Sequence, residues 1–177
     1  KVTLAMPYEG HVAAASVASF AQLVFATIET NLLDGVFFGH HWLHDKVRNS
    51  IVESVLERGT STHVMWVDPD LIVPVTALAA LLEHDKQIVG GRYPRRLSET
   101  TPVDGFGLGC ALVQADVYSQ LSRHYGDNVW HRRSYGRSED VAFFERCSGI
   151  GVETYLDPDV ECTRSARSDA ITTSIVS

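Results

Sequence analysis

The sequence predicts an α/β protein built on a doubly wound, mainly parallel sheet with helices covering both faces. Two observations lead to this fold class. Short apolar runs alternate with longer segments whose apolar residues recur at helical spacing, and this alternation is typical of parallel sheets. The 177 residues and the 45% hydrophobic composition suit one domain with a sizeable core.

Apolar runs and helical spacing assign each element in order. Strands are predicted at residues 2–6, 36–38, 64–67, 88–89, 110–113 and 152–156. Helices are predicted at residues 12–28, 45–57, 74–84, 116–123 and 139–147, with Gly59 ending the second and Ser138 capping the last. Loops are predicted at residues 7–10 and 97–103. Residues 163–177 are polar and unpatterned, which predicts a domain over residues 1–162 followed by a C-terminal tail or lid.

The composition excludes several classes of protein. A net charge of −7 gives no overall attraction to nucleic acid, so a polyanionic partner would have to meet a local basic patch. Cys110, Cys147 and Cys162 form no CxxC pair, which indicates a reducing compartment without a disulfide framework or structural zinc. No apolar run approaches the roughly 18 residues that span a bilayer, and no secretory signal is visible. We therefore expect a cytoplasmic protein with no membrane partner.

Two carboxylates follow the apolar run of residues 64–67, in Asp68-Pro69-Asp70 (the first tripeptide). In an extended segment residues i and i+2 point the same way, so both acids should present oxygens to one point beyond the strand. Open α/β sheets bind ligands at this end, and such oxygens suit Mg²⁺ or Mn²⁺ shared with a diphosphate. The alternative is a plain turn, which these residue types also favour.

The chain contains an internal control for this hypothesis. The same residues recur as Asp157-Pro158-Asp159 (the second tripeptide), again after an apolar run. Nothing in the neighbouring sequence separates the two copies. The choice between a metal–diphosphate platform and a turn must therefore come from the rest of the chain.

Several other residues have two interpretations each. Gly105, Gly107 and Gly109 precede a strand, which predicts either close backbone approach to a ligand or a flexible start of a hairpin. Glu139 and Asp140 open a helix, where the helix dipole favours carboxylates, although one of them could serve as a general base toward an acceptor hydroxyl.

Histidine and arginine clusters also need interpretation. We interpret His40, His41 and His44 as surface histidines rather than a metal cluster. Two basic loops stand out in an acidic chain, and they predict either solvated charge or phosphate contacts with a polyanionic acceptor. Their residues are Arg92, Arg95 and Arg96 in the first loop, and His131, Arg132, Arg133 and Arg137 in the second.

Six motifs follow one another in an order typical of one enzyme fold. They are Leu4-Ala5-Met6-Pro7, Arg48-Asn49, Trp66-Val67 with the first tripeptide, Gly90 to Pro94, the Gly-rich stretch from Gly105 to Cys110, and Ser138-Glu139-Asp140. In these motifs the chain resembles GT-A-fold glycosyltransferases of the inverting, family-two-like kind, especially the compact type found in phages and bacteria. The resemblance covers residues 2–160.

The resemblance implies a role for each motif. Asp140 would be the catalytic base with Glu139 beside it, and Asp68 and Asp70 would hold the ribose and a metal on the diphosphate. The second tripeptide would be only a turn at a strand end. The nucleotide-sugar side would comprise Pro7, Tyr8, Glu9, Arg48, Asn49 and Asp68, and the acceptor side Gly107, Leu108, Gly109, Arg92 and Tyr93.

One departure from the family pattern concerns the metal. Many relatives place a metal-ligating histidine shortly after the last strand, but here Cys162-Thr163-Arg164-Ser165 occupies that region and no histidine follows. Arg164 or Arg167 could neutralise the diphosphate directly, since a guanidinium matches phosphate geometry. The resemblance thus implies a divalent cofactor, Mn²⁺ or Mg²⁺, that the missing histidine calls into question.

The expected reaction is transfer of one sugar from a nucleotide-diphosphate sugar, a UDP-sugar by the resemblance, to an acceptor hydroxyl with inversion. The missing membrane anchor and the arginine-bearing loops favour a hydroxymethylated base in phage DNA, reached in the host cytoplasm after the base leaves the stack. The alternatives are a saccharide or protein hydroxyl, a nucleotidyltransferase, and a nucleotide-sugar-binding module without catalysis.

Overall fold

The computed structural model of the protein describes residues 1–40, 43–94, 107–133, 136–165 and 170–171. The strands are β1 (Val2–Tyr8), β2 (Val12–Ala13), β3 (Leu33–His40), β4 (His63–Val67), β5 (Leu71–Ile72), β6 (Ile88–Arg92), β7 (Cys110–Gln114), β8 (Thr154–Glu161), β9 (Thr163–Arg164) and β10 (Ala170–Ile171). The helices are α1 (Ala14–Glu29), α2 (His44–Arg58), α3 (Ala77–Glu83), α4 (Ala115–Tyr125) and α5 (Glu139–Gly149).

A six-stranded sheet in the order β3-β1-β4-β7-β6-β8 forms the centre of the molecule. β1 is parallel to β3 and β4, and β6 is parallel to β8. β7 alone runs antiparallel to its neighbours, β4 and β6. The predicted mainly parallel α/β sheet is confirmed, and the reversal of β7 places its first residues at the edge where β4 and β6 end.

Apolar side chains pack on both faces of this sheet. Met65 and Val67 of β4 join one buried cluster with residues of α1 and α3, whereas Val64 and Trp66 join a second cluster with residues of α2, α4 and α5. Successive strand residues point to opposite faces, and both faces are covered. This explains why residues 64–67 form an unbroken apolar run. Among the described helices, none has the length and apolar character needed to cross a bilayer.

Two predicted ends of elements are confirmed by their caps. Gly59 adopts a left-handed conformation with φ of 63° after α2, and Ser138 accepts a hydrogen bond from the Val141 N–H at 3.4 Å at the start of α5. α3 begins at Ala77 instead of Pro74, because a turn intervenes in which the Ala77 N–H donates to the Pro74 carbonyl at 2.9 Å.

β1 and β8 are longer than predicted. β1 continues through Pro7 and Tyr8, which the sequence predicted as loop; these residues pair with β3 alone, so the missing N–H of Pro7 is tolerated. β8 continues to Glu161 and includes the second tripeptide, so the predicted strand-end turn is wrong. A register shift between Gly91 and Arg92 of β6 accommodates the extra β8 residues.

Short strands join the C-terminal segment to the rest of the chain. β9 pairs with β5, and β10 pairs with β2, both antiparallel. The predicted boundary after residue 162 and the role of the later residues as a tail or lid stay predictions. The pairing of β9 is the part that matters for the candidate site, because it brings Arg164 next to the first tripeptide.

Candidate active site

The predicted acids gather at the edge of the sheet where β4 and β6 end and β7 begins. The Asp68 N–H donates to the Gly109 carbonyl at 2.8 Å, which joins the end of β4 to the residues preceding β7. The Leu71 N–H donates to the Asp68 carbonyl at 3.1 Å and closes a turn around residues 68–71. The extended geometry predicted for the first tripeptide is therefore wrong, because the chain reverses directly after β4 to form β5.

The two carboxylates of this turn bind different guanidinium groups. Asp68 Oδ1 accepts a hydrogen bond from Arg48 Nη2 at 2.9 Å. Asp70 Oδ2 accepts one from Arg164 Nη1 at 2.7 Å. Both carboxylates are partly exposed, at 22% for Asp68 and 25% for Asp70. The first tripeptide thus has turn geometry and two exposed acids, each with a strong charge-assisted hydrogen bond.

Arg48 is a buried cation underneath the site. Its side chain is 1% exposed, and its guanidinium lies 4.9 Å from the centre of the Trp66 ring. Burial opposes its charge, but the carboxylates of Asp140, Asp68 and Glu139 raise the pKa of Arg48. Within the described residues, its Nε and Nη1 atoms have no hydrogen-bond partner. The buried charge of Arg48 therefore offsets part of the negative charge of these three acids.

Asn49, predicted beside Arg48 in the nucleotide pocket, has a different set of contacts. Its side-chain amide donates to the Asn128 carbonyl at 3.2 Å and accepts from the His131 N–H at 2.9 Å. Both ends of the amide are engaged by the loop before α5. Asn49 fastens that loop to α2, and its predicted place in the nucleotide pocket stays a prediction.

Asp140 lies in the first turn of α5 and faces the residues that precede β7. Its Oδ2 accepts a hydrogen bond from the Leu108 N–H at 3.1 Å, and its Oδ1 has no partner within the described residues. Burial raises the pKa of Asp140 to about 7; the charges of Glu139 and Asp68 add to the rise, and Arg48 opposes it. A carboxylate with this pKa can exchange a proton near neutral pH.

Glu139 contacts a histidine that the sequence predicted to be a plain surface residue. Its Oε1 lies 3.6 Å from His44 Nδ1, and His44 Nε2 lies 3.7 Å from Glu9 Oε2. Although burial alone would raise the pKa of Glu139, the nearby His44 ring and the Arg48 charge lower it to about 2. The Glu139 carboxylate in turn raises the pKa of His44. The feature of the sequence that could have indicated this contact is the position of His44, which follows a strand end and begins α2.

Two glycines and a tyrosine shape the space between Asp68 and Asp140. A Cβ on Gly107 would lie 3.0 Å from Asp140 Oδ2, and a Cβ on Gly109 would lie 2.8 Å from Asp68 Oδ2. The Gly109 N–H donates to Tyr93 Oη at 3.2 Å. Burial raises the pKa of Tyr93, so its hydroxyl stays protonated. The glycines are needed for the close approach of these site side chains.

Arg164 is held in place by several groups. Its Nε donates to the Pro94 carbonyl at 2.7 Å, and its guanidinium lies 5.3 Å from the centre of the Tyr93 ring. The Ser165 N–H donates to the Asp70 carbonyl at 2.8 Å, which ties the end of β9 to the first tripeptide.

The remaining predicted site residues are distributed around this edge. Tyr8, at the end of β1, packs 4.8 Å from Phe38 and 5.1 Å from His40 between ring centres. Pro7 lies within β1, and Glu9 follows that strand with a 54% exposed side chain. Arg92 is ion-paired with Glu161 at 3.0 Å, with both side chains mostly exposed.

His131 corrects the prediction of a second basic loop. Its side chain is fully buried and stacks on Phe143 with ring centres 4.6 Å apart. Burial lowers the pKa of His131 well below its usual value, so this residue is neutral. Arg133 and Arg137 approach Glu139 and Glu145 respectively, which leaves these arginines partly neutralised. The predictions on His41, Arg95, Arg96, residues 97–103, Gly105 and Arg167 lie outside the described residues.

The residues do not form a ready metal site. In the described parts of the chain, no three or more His, Cys, Asp or Glu side chains are arranged to hold a metal ion. Asp68 and Asp70, the predicted ligands, are each paired with an arginine. A divalent cation at these carboxylates would lie beside two guanidinium groups, whose positive charges oppose its binding.

Comparison with solved structures identifies the architecture. No protein-family model and no curated protein sequence matches the chain. The crystal structure of A197 from STIV matches with a TM-score of 0.61 and 15% identity over 94% of this chain and 86% of that one. A glycosyltransferase involved in the glycosylation of the major capsid of PBCV-1 matches with a TM-score of 0.57 and 11% identity over 95% and 96%. The fold is GT-A-like.

This GT-A-like fold is shared with other activities. The 4-diphosphocytidyl-2C-methyl-D-erythritol synthase matches with a TM-score of 0.50 and 13% identity, over 96% of this chain and 90% of that one. At these identities the similarity concerns the fold alone. The activity has to be argued from the site.

Proposed function

We propose that this protein transfers a sugar from a nucleotide-diphosphate sugar to an acceptor hydroxyl. One observation carries the proposal. Asp68 and Asp140 come from different strand and helix ends and both contact the short segment Gly107–Gly109. The Asp68 N–H donates to the Gly109 carbonyl, and Asp140 Oδ2 accepts from the Leu108 N–H. Two carboxylates with different environments, meeting at the ligand-binding edge of a GT-A-like sheet, suit a reaction that needs one acid near the donor and another near the acceptor.

In this proposal Asp140 is the general base. The acceptor oxygen attacks the anomeric carbon of the sugar as its proton passes to Asp140, and the bond from that carbon to the nucleoside diphosphate breaks. Attack from the side opposite the leaving group inverts the configuration. A pKa of about 7 matches this role, since a base is most effective when its pKa lies near the working pH. Glu139 stays ionised and, with His44, holds the start of α5.

The donor and acceptor sides follow from the same geometry. Asp68 and Arg164 would contact the nucleotide sugar, with Tyr8 and Glu9 near the base, and a UDP-sugar is the donor that the family resemblance favours. Gly107, Leu108, Gly109 and Tyr93 would border the acceptor. Arg92 would lie at most at the rim of the acceptor site, because it is ion-paired with Glu161.

For the acceptor, we now favour a saccharide or protein hydroxyl over DNA. Arg92, Arg133 and Arg137 each approach a glutamate, and His131 is buried and neutral, so among the described side chains of the basic loops Arg132 alone offers a polyanion a charge without a nearby carboxylate. The similar PBCV-1 structure belongs to a protein involved in capsid glycosylation. A duplex-DNA binding assay with increasing salt tests this choice: steep loss of measurable affinity with salt would favour DNA.

The main alternative is nucleotidyl transfer, because the GT-A-like fold also occurs in the 4-diphosphocytidyl-2C-methyl-D-erythritol synthase structure. The products separate the two reactions, since glycosyl transfer releases a nucleoside diphosphate and nucleotidyl transfer releases pyrophosphate.

Replacing Asp140 with Asn tests the proposal. Slow hydrolysis of UDP-sugars supplies the readout, with water as acceptor. Asp140→Asn should lower release of UDP by about 10²-fold or more while UDP-sugar binding, followed by thermal shift, is retained. The wild-type rate should rise with pH through about 7, because the base must be ionised. Asp116→Asn, at the start of α4, is the matched control. Equal rates for wild type and Asp140→Asn would contradict the proposal, and binding without any turnover would favour a non-catalytic module.

A further inference from the structure

Arg164 binds one of the two acids that the family resemblance assigns to a metal. Its Nη1 donates a hydrogen bond to Asp70 Oδ2 at 2.7 Å. Three further contacts fix its position, namely the Pro94 carbonyl, the Tyr93 ring and the pairing of β9 with β5, in which Arg164 lies opposite Leu71. The guanidinium is thus part of the folded structure and not a mobile surface charge.

Each acid of the first tripeptide already has a guanidinium partner. Asp68 is paired with the buried Arg48, which also faces Glu139 and Asp140, and Asp70 is paired with Arg164. A divalent cation would add two positive charges beside these arginines, and at Asp70 Oδ2 it would compete with a charge-assisted hydrogen bond. The Arg164 side chain is 18% exposed, so part of it is in contact with solvent at this edge of the sheet.

We propose that Arg164 binds the diphosphate of the donor in place of a metal, so that donor binding requires neither Mn²⁺ nor Mg²⁺. The inference rests on the proposed function, because it concerns the same donor. A guanidinium presents paired N–H groups that match two phosphate oxygens, and it stabilises the negative charge that develops on the departing diphosphate. Asp70 then orients Arg164 and does not act as a metal ligand.

Binding of UDP in the presence and absence of metal tests the inference. Isothermal titration of the full chain with UDP should give the same affinity in EDTA and in Mn²⁺. Arg164→Ala should weaken UDP binding in EDTA by about tenfold or more, since a charge-assisted hydrogen bond is lost. Arg164→Lys should lie between the two, because it keeps the charge and loses the planar fork. Arg123→Ala, which removes an exposed arginine in the last turn of α4, should bind as wild type.

Direct metal binding gives a readout that does not depend on the donor. The electron paramagnetic resonance signal of free Mn²⁺ should be unchanged by the wild-type protein, and Arg164→Ala, which removes one positive charge and one hydrogen bond from Asp70, should bind more Mn²⁺. UDP binding that requires Mn²⁺ would overturn this inference and leave the proposed function intact. Unchanged UDP affinity in both Arg164 variants would also overturn it. No UDP binding under either condition would contradict the proposed function and this inference together.

Discussion

The two Asp-Pro-Asp tripeptides have the same sequence and different environments. The first is a turn after the central strand β4, and its acids bind Arg48 and Arg164, which come from α2 and β9. The second lies inside the edge strand β8. Its first acid, Asp157, is 5% exposed, accepts a hydrogen bond from the Asp159 N–H at 2.8 Å and contacts His84 at the end of α3, also at 2.8 Å.

The difference lies in what surrounds each copy. The first tripeptide has partly exposed carboxylates, faces Gly109 and Tyr93, and lies near Asp140. The second uses its buried acid to fasten α3 to the sheet at a register shift. A local motif therefore acquires a chemical role only when distant parts of the chain bring charges and space to it. Matched variants of the two tripeptides test whether their roles differ as much as their contacts indicate.

Removal of the first acid of each tripeptide should give the largest difference. Asp68→Ala leaves the buried Arg48 without its hydrogen-bonded partner, which should lower the free energy of unfolding by about 3 kcal/mol. Asp157→Ala removes one hydrogen bond with His84 at the end of α3 and one from the Asp159 N–H within β8, and it should cost about 1–2 kcal/mol. Urea titrations of both variants measure these values. Equal losses would mean that Arg48 depends mainly on Glu139 and Asp140.

Replacing the glycine that faces each tripeptide with alanine should mainly lower stability at the second copy and mainly weaken UDP binding at the first. A Cβ on Gly91 would lie 2.8 Å from the Val160 carbonyl oxygen, so β8 itself must move, and Gly91→Ala should cost about 1–3 kcal/mol. A Cβ on Gly109 would meet the side chains of Asp68 and Leu71, which can move more easily. Gly109→Ala should therefore cost less stability but weaken UDP binding. If Gly91→Ala were the variant that lost UDP binding, the second tripeptide would be the functional copy.

The smallest of these effects should be the contribution of the His84–Asp157 pair to the stability of the protein in acid. The hydrogen bond from His84 lowers the pKa of Asp157, so this carboxylate stabilises the fold above its ordinary pKa. That contribution is lost as the pH falls through the lowered pKa. His84→Gln should reduce the acid-dependent loss of unfolding free energy by less than about 1 kcal/mol. Urea titrations in acid and at neutral pH measure the change, and a His84→Gln variant as acid-sensitive as wild type would assign the effect to other carboxylates.

Much of the fold could be predicted from periodicity alone. Residues 64–67 are apolar without interruption because both faces of β4 are covered, and Gly59 and Ser138 end and begin helices through local backbone chemistry. The antiparallel direction of β7 could not be predicted in this way. Strand direction depends on the path of the chain between strands, and the apolar pattern of residues 110–113 is the same in either direction.

The acids of the candidate site could be predicted from the sequence, but the residues that pair with them could be predicted less well. Asp68, Asp70 and Asp140 stand at strand and helix ends, which is a local signal. Their counter-charges come from far along the chain, and His44 contacts Glu139 only once α2 and α5 are packed. His131 illustrates the opposite error. It belongs to a run of basic residues, yet its ring is buried against Phe143, and burial is a property of tertiary packing that charge patterning does not report.

The pairing of β9 with β5 has a consequence for how the protein matures during synthesis. Arg164 and Asp70 are 94 residues apart in the sequence, and such distant contacts form slowly compared with local ones. A ribosome-bound chain can build β1, β3 and β4 before the arginine opposite Leu71 has been synthesised. The proposed donor pocket therefore cannot be complete until β9 has left the exit tunnel.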